Sequence, residues 1–89
     1  MIQISLPIIN KLGLHARAAS KFVKTSAKFE SEILVKKGDR QANGKSIMSL
    51  MMLAASCGTT IELSINGADA QEAQDALQDL LARRFDEPE

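Results

Sequence analysis

Eighty-nine residues, 45% of them hydrophobic, with three Phe and no Trp or Tyr, make one small domain over residues 1–89. Its core must be Ile, Leu, Val, Met and Ala, with no room for a deep cofactor cavity. One cysteine and one histidine exclude an internal disulfide and a His/Cys metal cluster, so neither a metal nor a cofactor is expected. The net charge is zero but unevenly spread: residues 1–45 carry nine Lys/Arg against three acids, and residues 46–89 two against eight. A basic first half suits an acidic partner. Without interleaved aromatics, and beside an acidic second half, it does not suit nucleic acid.

Ile2, Ile4 and Leu6 alternate with Gln3 and Ser5 and predict a half-buried strand; Pro7 to Leu14 reads as a loop. Ala16 to about Lys28 predicts a helix. Ala19, Phe22, Val23 and Ser26 share one of its faces, and Arg17, Lys21, Lys24 and Lys28 line the opposite one. Glu32 to Lys36 predicts a second strand with Ile33 and Val35 inward. Lys37-Gly38-Asp39 is a hairpin turn, and Arg40 to Ala42 a short third strand. After the Asn43-Gly44-Lys45 turn, Ser46 caps a predicted helix from Ile47 to about Ser56, closed by Gly58 as its C′ residue. Thr60 to Ile65 predicts the fourth strand, with Ile61, Leu63 and Ile65 inward. Asp69 and Glu72 match a capping box that opens a last helix to about Arg84. Phe85 to Glu89 reads as a frayed acidic tail.

The order β-α-β-β-α-β-α predicts an α+β domain with one antiparallel sheet, helices on a single face and the other face in water. The chain opens without a basic region followed by an apolar one, and its longest apolar stretch, Ile47 to Ala55, is too short to cross a bilayer. A cytoplasmic protein without membrane insertion is the expectation.

Two constellations carry chemistry. The first is Gly13-Leu14-His15-Ala16-Arg17, with the sole histidine where a loop enters a helix. A neutral imidazole nitrogen is a nucleophile near neutral pH. A helix start offers free N–H groups and the positive end of a dipole to a phosphoryl group, and Arg17 adds a fixed cation. A lone histidine here also fits a plain surface or capping residue. The second is the middle helix. Leu50, Leu53, Ala54 and Cys57 suit a core face, while Ile47, Met48 and Met51, with Met52 at the flank, form an adaptable exposed patch. Ser46 at its N-cap can accept a phosphate whose charge the helix dipole favours. Gly44-Lys45-Ser46 is not a P-loop: Gly38 lies one residue too far upstream, and that motif needs a much larger parallel-sheet domain.

On these residues the chain resembles the HPr family, the histidine-containing phosphocarriers of the bacterial phosphoenolpyruvate-dependent phosphotransferase system. Gly13 to Arg17 resembles the family's active-site motif and Lys45-Ser46-Ile47-Met48 its regulatory-serine segment. The spacing, element order and length agree over essentially the whole chain. The resemblance implies an open-faced two-layer sandwich and a phosphocarrier rather than an enzyme. His15 would accept a phosphoryl group on Nδ1 from phosphorylated Enzyme I and pass it to an EIIA-type protein. The N–H groups of Ala16 and Arg17 and the Arg17 side chain would steady it. Ser46 would be the target of an HPr kinase/phosphorylase. Ser20, Lys21, Lys24, Ile47, Met48 and Met51 would meet partners, and the carrier would be a monomer with its docking face free.

The chain also departs from the family pattern. Ala18 stands where the family usually has proline, and Leu12 where some sugar-pathway members are polar. Asn10-Lys11-Leu12-Gly13 and Phe85-Asp86-Glu87 resemble the nitrogen-related branch, NPr, whereas Lys45 to Met48 resembles members regulated on serine. A regulatory protein signalling through Ser46 or through docking, rather than serving sugar transport, is the alternative. A small ligand-binding α/β module is a third class.

Overall fold

Four segments with apolar residues at every second position meet in one sheet in the computed structural model, which describes residues 1–89. The strands are β1 (Ile2–Pro7), β2 (Glu32–Lys37), β3 (Arg40–Asn43) and β4 (Thr60–Asn66), in the order β1-β4-β2-β3, every pair antiparallel. Register puts Ile4 opposite Leu63 and Leu6 opposite Ile61, and on the other side of β4 it pairs Ile33 with Ile65 and Val35 with Leu63. Side chains alternate with period two, so all of these fall on one face. The helices α1 (Ala16–Ser26), α2 (Ile47–Met52) and α3 (Ala70–Ala82) cover it. The α1 helix packs against α2 and α3, and α3 against β1 and β4. Phe22, Leu50, Leu77, Ile61, Leu63 and Ile65 are fully buried between the layers, each contributing about 1.5–3 kcal/mol of hydrophobic stabilisation. Ser5, Lys36 and Glu62 occupy the open face.

Four expectations are corrected. The α2 helix ends at Met52, not near Ser56, and Ala54 is left-handed at φ +53°. Two cations from the β2–β3 hairpin stop it. Lys37 Nζ donates to the carbonyls of Leu53 (3.3 Å) and Ala54 (2.9 Å), and Arg40 Nη1 donates to that of Met52 (3.3 Å). They satisfy the helix's last acceptors and oppose the negative end of its dipole. Cys57 therefore lies beyond the helix and is exposed, not part of its core face, and so is Ala54. Gly58 is no C′ residue: its N–H donates to the Ile8 carbonyl at 2.8 Å and leads the chain into β4.

The third correction concerns Asp69. It precedes α3 without capping it. Its carboxylate instead accepts from the backbone N–H groups of Glu30 and Ser31 and from the Ser31 hydroxyl, binding the start of α3 to the loop before β2. Those hydrogen bonds, Ser31's first, hold its pKa below the ordinary 3.8. The fourth is the tail. Residues 85–89 are docked, not frayed: Phe85 is 1% exposed in the core, and Arg84, Phe85 and Asp86 form a left-handed turn at φ +57°, +55° and +62°. Left-handed backbone costs roughly 1–2 kcal/mol per residue, comparable in total to what burying a phenylalanine contributes, about 3–5 kcal/mol as read from Phe→Ala changes. The turn exists because the Phe85 ring has a place in the core.

Candidate functional site

The loop before α1 is held from both sides. Gly13 adopts φ +69°, and a Cβ there would strike the backbone of Ala55 and Ser56. Only glycine combines that conformation with that approach. The Leu14 N–H donates to the Ala55 carbonyl at 2.9 Å, and Leu14 is buried. Asn10, fully buried, donates from Nδ2 to the Gly13 carbonyl at 2.8 Å. His15 then enters α1 as its N-cap residue with extended backbone, φ −77° and ψ 179°.

Its side chain does not cap the helix, and the first turn carries no acid. The leading N–H groups of α1, those of Ala16 and Arg17 among them, have no partner within the helix. Arg17 is exposed, and its charge acts on Glu87. The first turn is thus an open, positively polarised end.

The imidazole is held by the tail. His15 Nε2 is hydrogen-bonded to Glu87 Oε2, and the two side chains are 28% and 7% exposed. The other carboxylate oxygen, Oε1, accepts from Asn10 Nδ2 at 2.9 Å. His15 Nδ1 makes no hydrogen bond. Burial pushes the Glu87 carboxyl up; the hydrogen bonds from Asn10 and His15 and the charges of His15 and Arg17 outweigh it and hold the pKa below the ordinary 4.5. Lys21 Nζ donates to the Phe85 carbonyl at 2.8 Å and lies 3.7 Å from Asp86. The Lys11 N–H donates to the Glu89 carbonyl at 2.9 Å. Of the basic face read from sequence, Lys24 stays exposed, Ser20 is half-buried, and Lys21 is occupied by the tail.

Beside α1 lies α2. Ser46 Oγ accepts from the Ser49 N–H at 3.3 Å, so Ser46 caps the helix as expected. Leu50 faces the core, whereas Met48 is 72% exposed and Ile47, Met51 and Met52 are exposed as well. Leu12, on the loop before His15, adds another exposed apolar side chain. No cluster of His, Cys, Asp and Glu could hold a metal ion.

The sequence reading missed Asn10 and Glu87. An asparagine three residues before a glycine is a loop signal that could have marked Asn10. Glu87 carried only its place in an acidic segment of a chain whose histidine lies in the basic half.

A family model described as "PTS HPr component phosphorylation site" matches residues 2–83. The chain belongs to the HPr family. HPr proteins are phosphocarriers of the phosphotransferase system. Over all 89 residues, covering both chains completely, the sequence is 57% identical to "Phosphocarrier protein HPr" of Neisseria meningitidis. It is 41% identical to "Phosphocarrier protein NPr" of Shewanella violacea over 86 residues, 97% of this chain and 94% of that one. The solved structure of HPr-C-His from Thermoanaerobacter tengcongensis superposes with a TM-score of 0.95 at 45% identity, covering 100% of both chains. The four-stranded antiparallel sheet with three helices is the HPr architecture. No helix is long and apolar enough to cross a membrane.

Proposed function

We propose that His15 is the residue that carries the phosphoryl group, taking it from phosphorylated Enzyme I and passing it to an EIIA-type protein. The observation that carries this reading is the free Nδ1 of His15 at the open N-terminal turn of α1. The Nδ1 lone pair forms the N–P bond as the donor's bond to phosphorus breaks. The N–H groups of Ala16 and Arg17 and the Arg17 guanidinium then face three anionic oxygens. Helix-end and surface-charge effects of this kind contribute about 0.3–1 kcal/mol each. Weak stabilisation suits a carrier, because a deep cradle would trap the group it must release. Chemical positioning comes from the partner, so the chain acts as carrier, not enzyme.

Ile47, Met48 and Met51, with Ser20 and Lys24 of α1, form the surface that acidic partners meet, with Lys21 at its edge tied to the tail, and a monomer leaves it free. Ser46 is the candidate regulatory site. A phosphate at this N-cap is tolerated by the helix but sets negative charge beside the docking patch. Weaker association with Enzyme I in Ser46→Asp is expected; unchanged transfer rates would count against that role.

The test is intact mass after incubation with phosphoenolpyruvate and a catalytic amount of Enzyme I, followed by brief acid treatment. One acid-labile phosphoryl group, absent in His15→Ala, is the expected result. No phosphorylation by an Enzyme I shown to be active on another HPr overturns the reading.

A further inference from the structure

The tail contact has a chemical consequence for the histidine. A carboxylate only accepts hydrogen bonds, so the nitrogen it holds must carry the proton. Here that nitrogen is Nε2, bonded to Glu87 Oε2. In the neutral imidazole the lone pair is then on Nδ1, the nitrogen without a partner. We infer that Glu87 is a positioning residue for His15: it fixes the Nε2–H tautomer and leaves Nδ1 as the nucleophile, so the phosphoryl group arrives and leaves without a proton being moved. The inference rests on the reading of His15 as the phosphoryl acceptor.

The proton balance is simple. On arrival, the Nδ1 lone pair forms the N–P bond, the donor's bond to phosphorus breaks, and Nε2 keeps its hydrogen. The ring then carries positive charge, which the Glu87 carboxylate opposes. On departure, the N–P electron pair returns to Nδ1, and Nε2 still keeps its hydrogen. The partner need supply no base for the first step and no acid for the second.

The geometry admits only a carboxylate at this point. Oε2 faces Nε2–H, and Oε1 accepts from the buried Asn10 amide. Asn10 is itself oriented by the Gly13 carbonyl, which needs the same NH2 group as donor. Both oxygens of residue 87 therefore meet donors. A glutamine there must turn its NH2 either toward the Asn10 NH2 or toward Nε2, and the second choice favours the wrong tautomer. The left-handed turn at Arg84–Asp86 and the buried Phe85 bring Glu87 to this position.

The test uses the full chain and two variants, Glu87→Ala and Glu87→Gln, with the Phe85 resonances as a check that the tail stays docked. Imidazole 15N spectra of the unphosphorylated protein, taken where the ring is neutral, read the tautomer without any phosphoryl donor. Initial rates with phosphorylated Enzyme I read the chemistry. The expected result is Nε2–H in the wild type and a raised Nδ1–H population in both variants. With it, kcat falls about tenfold, the lower end of what losing a histidine's second partner costs at metal sites, while KM stays within twofold. An unchanged tautomer in both variants, an unchanged or raised kcat, or a loss carried by KM alone overturns the inference. A wild-type protein that takes no phosphoryl group sinks the carrier reading and the positioning role with it. Wild-type transfer with unchanged variants sinks the positioning role alone.

Discussion

The starts of α1 and α2, at opposite ends of a helix pair in which Leu14 meets Ala55 and Ser26 meets Gly44, are built from opposite materials. At the start of α1, His15 is left without a capping role and is held by Glu87, a residue 72 positions away in sequence. At the start of α2, Ser46 caps its own helix and needs nothing from elsewhere. Behind His15 the surface is polar and charged; behind Ser46 it is exposed methionine and isoleucine. On the proposed reading, chemistry and adhesion are kept on neighbouring but separate elements. A reactive nitrogen needs directional hydrogen bonds that decide where its proton sits. A surface that meets several partners needs flexible apolar side chains that repack.

The largest expected effect breaks the first region from behind. Phe85→Ala removes a buried ring, a loss of about 3–5 kcal/mol, partly offset by relief of a turn that costs roughly 1–2 kcal/mol per residue. With Lys21 and Asn10 still holding the Phe85 carbonyl and Glu87, and one of the three residues relaxing, the net loss by urea unfolding is about 2–3 kcal/mol, with Tm lower on the order of 10–20 °C. The His15 ring signals should shift as the Glu87 contact loosens. A stability change within about 0.5 kcal/mol, the range of surface substitutions, together with unmoved His15 ring signals would mean that the tail is not docked.

Met48→Glu attacks the second region. Binding to Enzyme I should weaken by about tenfold, which corresponds to about 1.4 kcal/mol, while unfolding stays within about 0.5 kcal/mol of wild type. Titration calorimetry and urea melts separate the two. Equal affinity would remove α2 from the docking surface.

Ser46→Ala sharpens the contrast in capping. Loss of an N-cap costs about 0.5–2 kcal/mol, and the long 3.3 Å bond to the Ser49 N–H puts the expected change at the lower end, read in the urea midpoint. His15→Ala, whose side chain caps nothing, should lower the midpoint by another route, because Glu87 Oε2 loses its partner.

Acid should loosen both carboxylate clasps. Glu87 and Asp69 have folded pKa values below their ordinary 4.5 and 3.8. Each therefore adds stability above its ordinary value and loses it as pH falls through the lower folded value. The urea midpoint should fall from pH 4.5 downward. Asp69→Asn should flatten the part of that slope below 3.8, and an unaltered slope would show that Asp69 adds nothing there. The smallest effect is a gain: Ala54→Gly suits φ +53° and should raise stability by some tenths of a kcal/mol up to about 1 kcal/mol.

Much of the fold was legible because the strands announce themselves by period. Ile61, Leu63 and Ile65 alternate so cleanly that a one-residue slip would turn all three to the open face. Ser46 was legible as a cap because capping is local, needing one side chain and an N–H three residues on. Asp69 was misread for the same reason. It has the residue type and spacing of a capping box, yet Glu30 and Ser31 offered its carboxylate better donors across the fold. The end of α2 was misread because Lys37 and Arg40, on a different hairpin, take its last carbonyls.

The sequence alone determined the element order, the buried face of the sheet, the position of His15 at a helix start and the exposure of the methionines. Those are periodic or nearest-neighbour properties, written within a few residues of where they act. Only the tertiary structure decided that the acidic tail is part of the site. That depended on whether burying one phenylalanine outweighs three left-handed residues, a balance of two terms of similar size that no local pattern encodes. It also depended on Asn10 and His15 presenting two donors at the spacing of one carboxylate, which exists only once the loop and the tail have met.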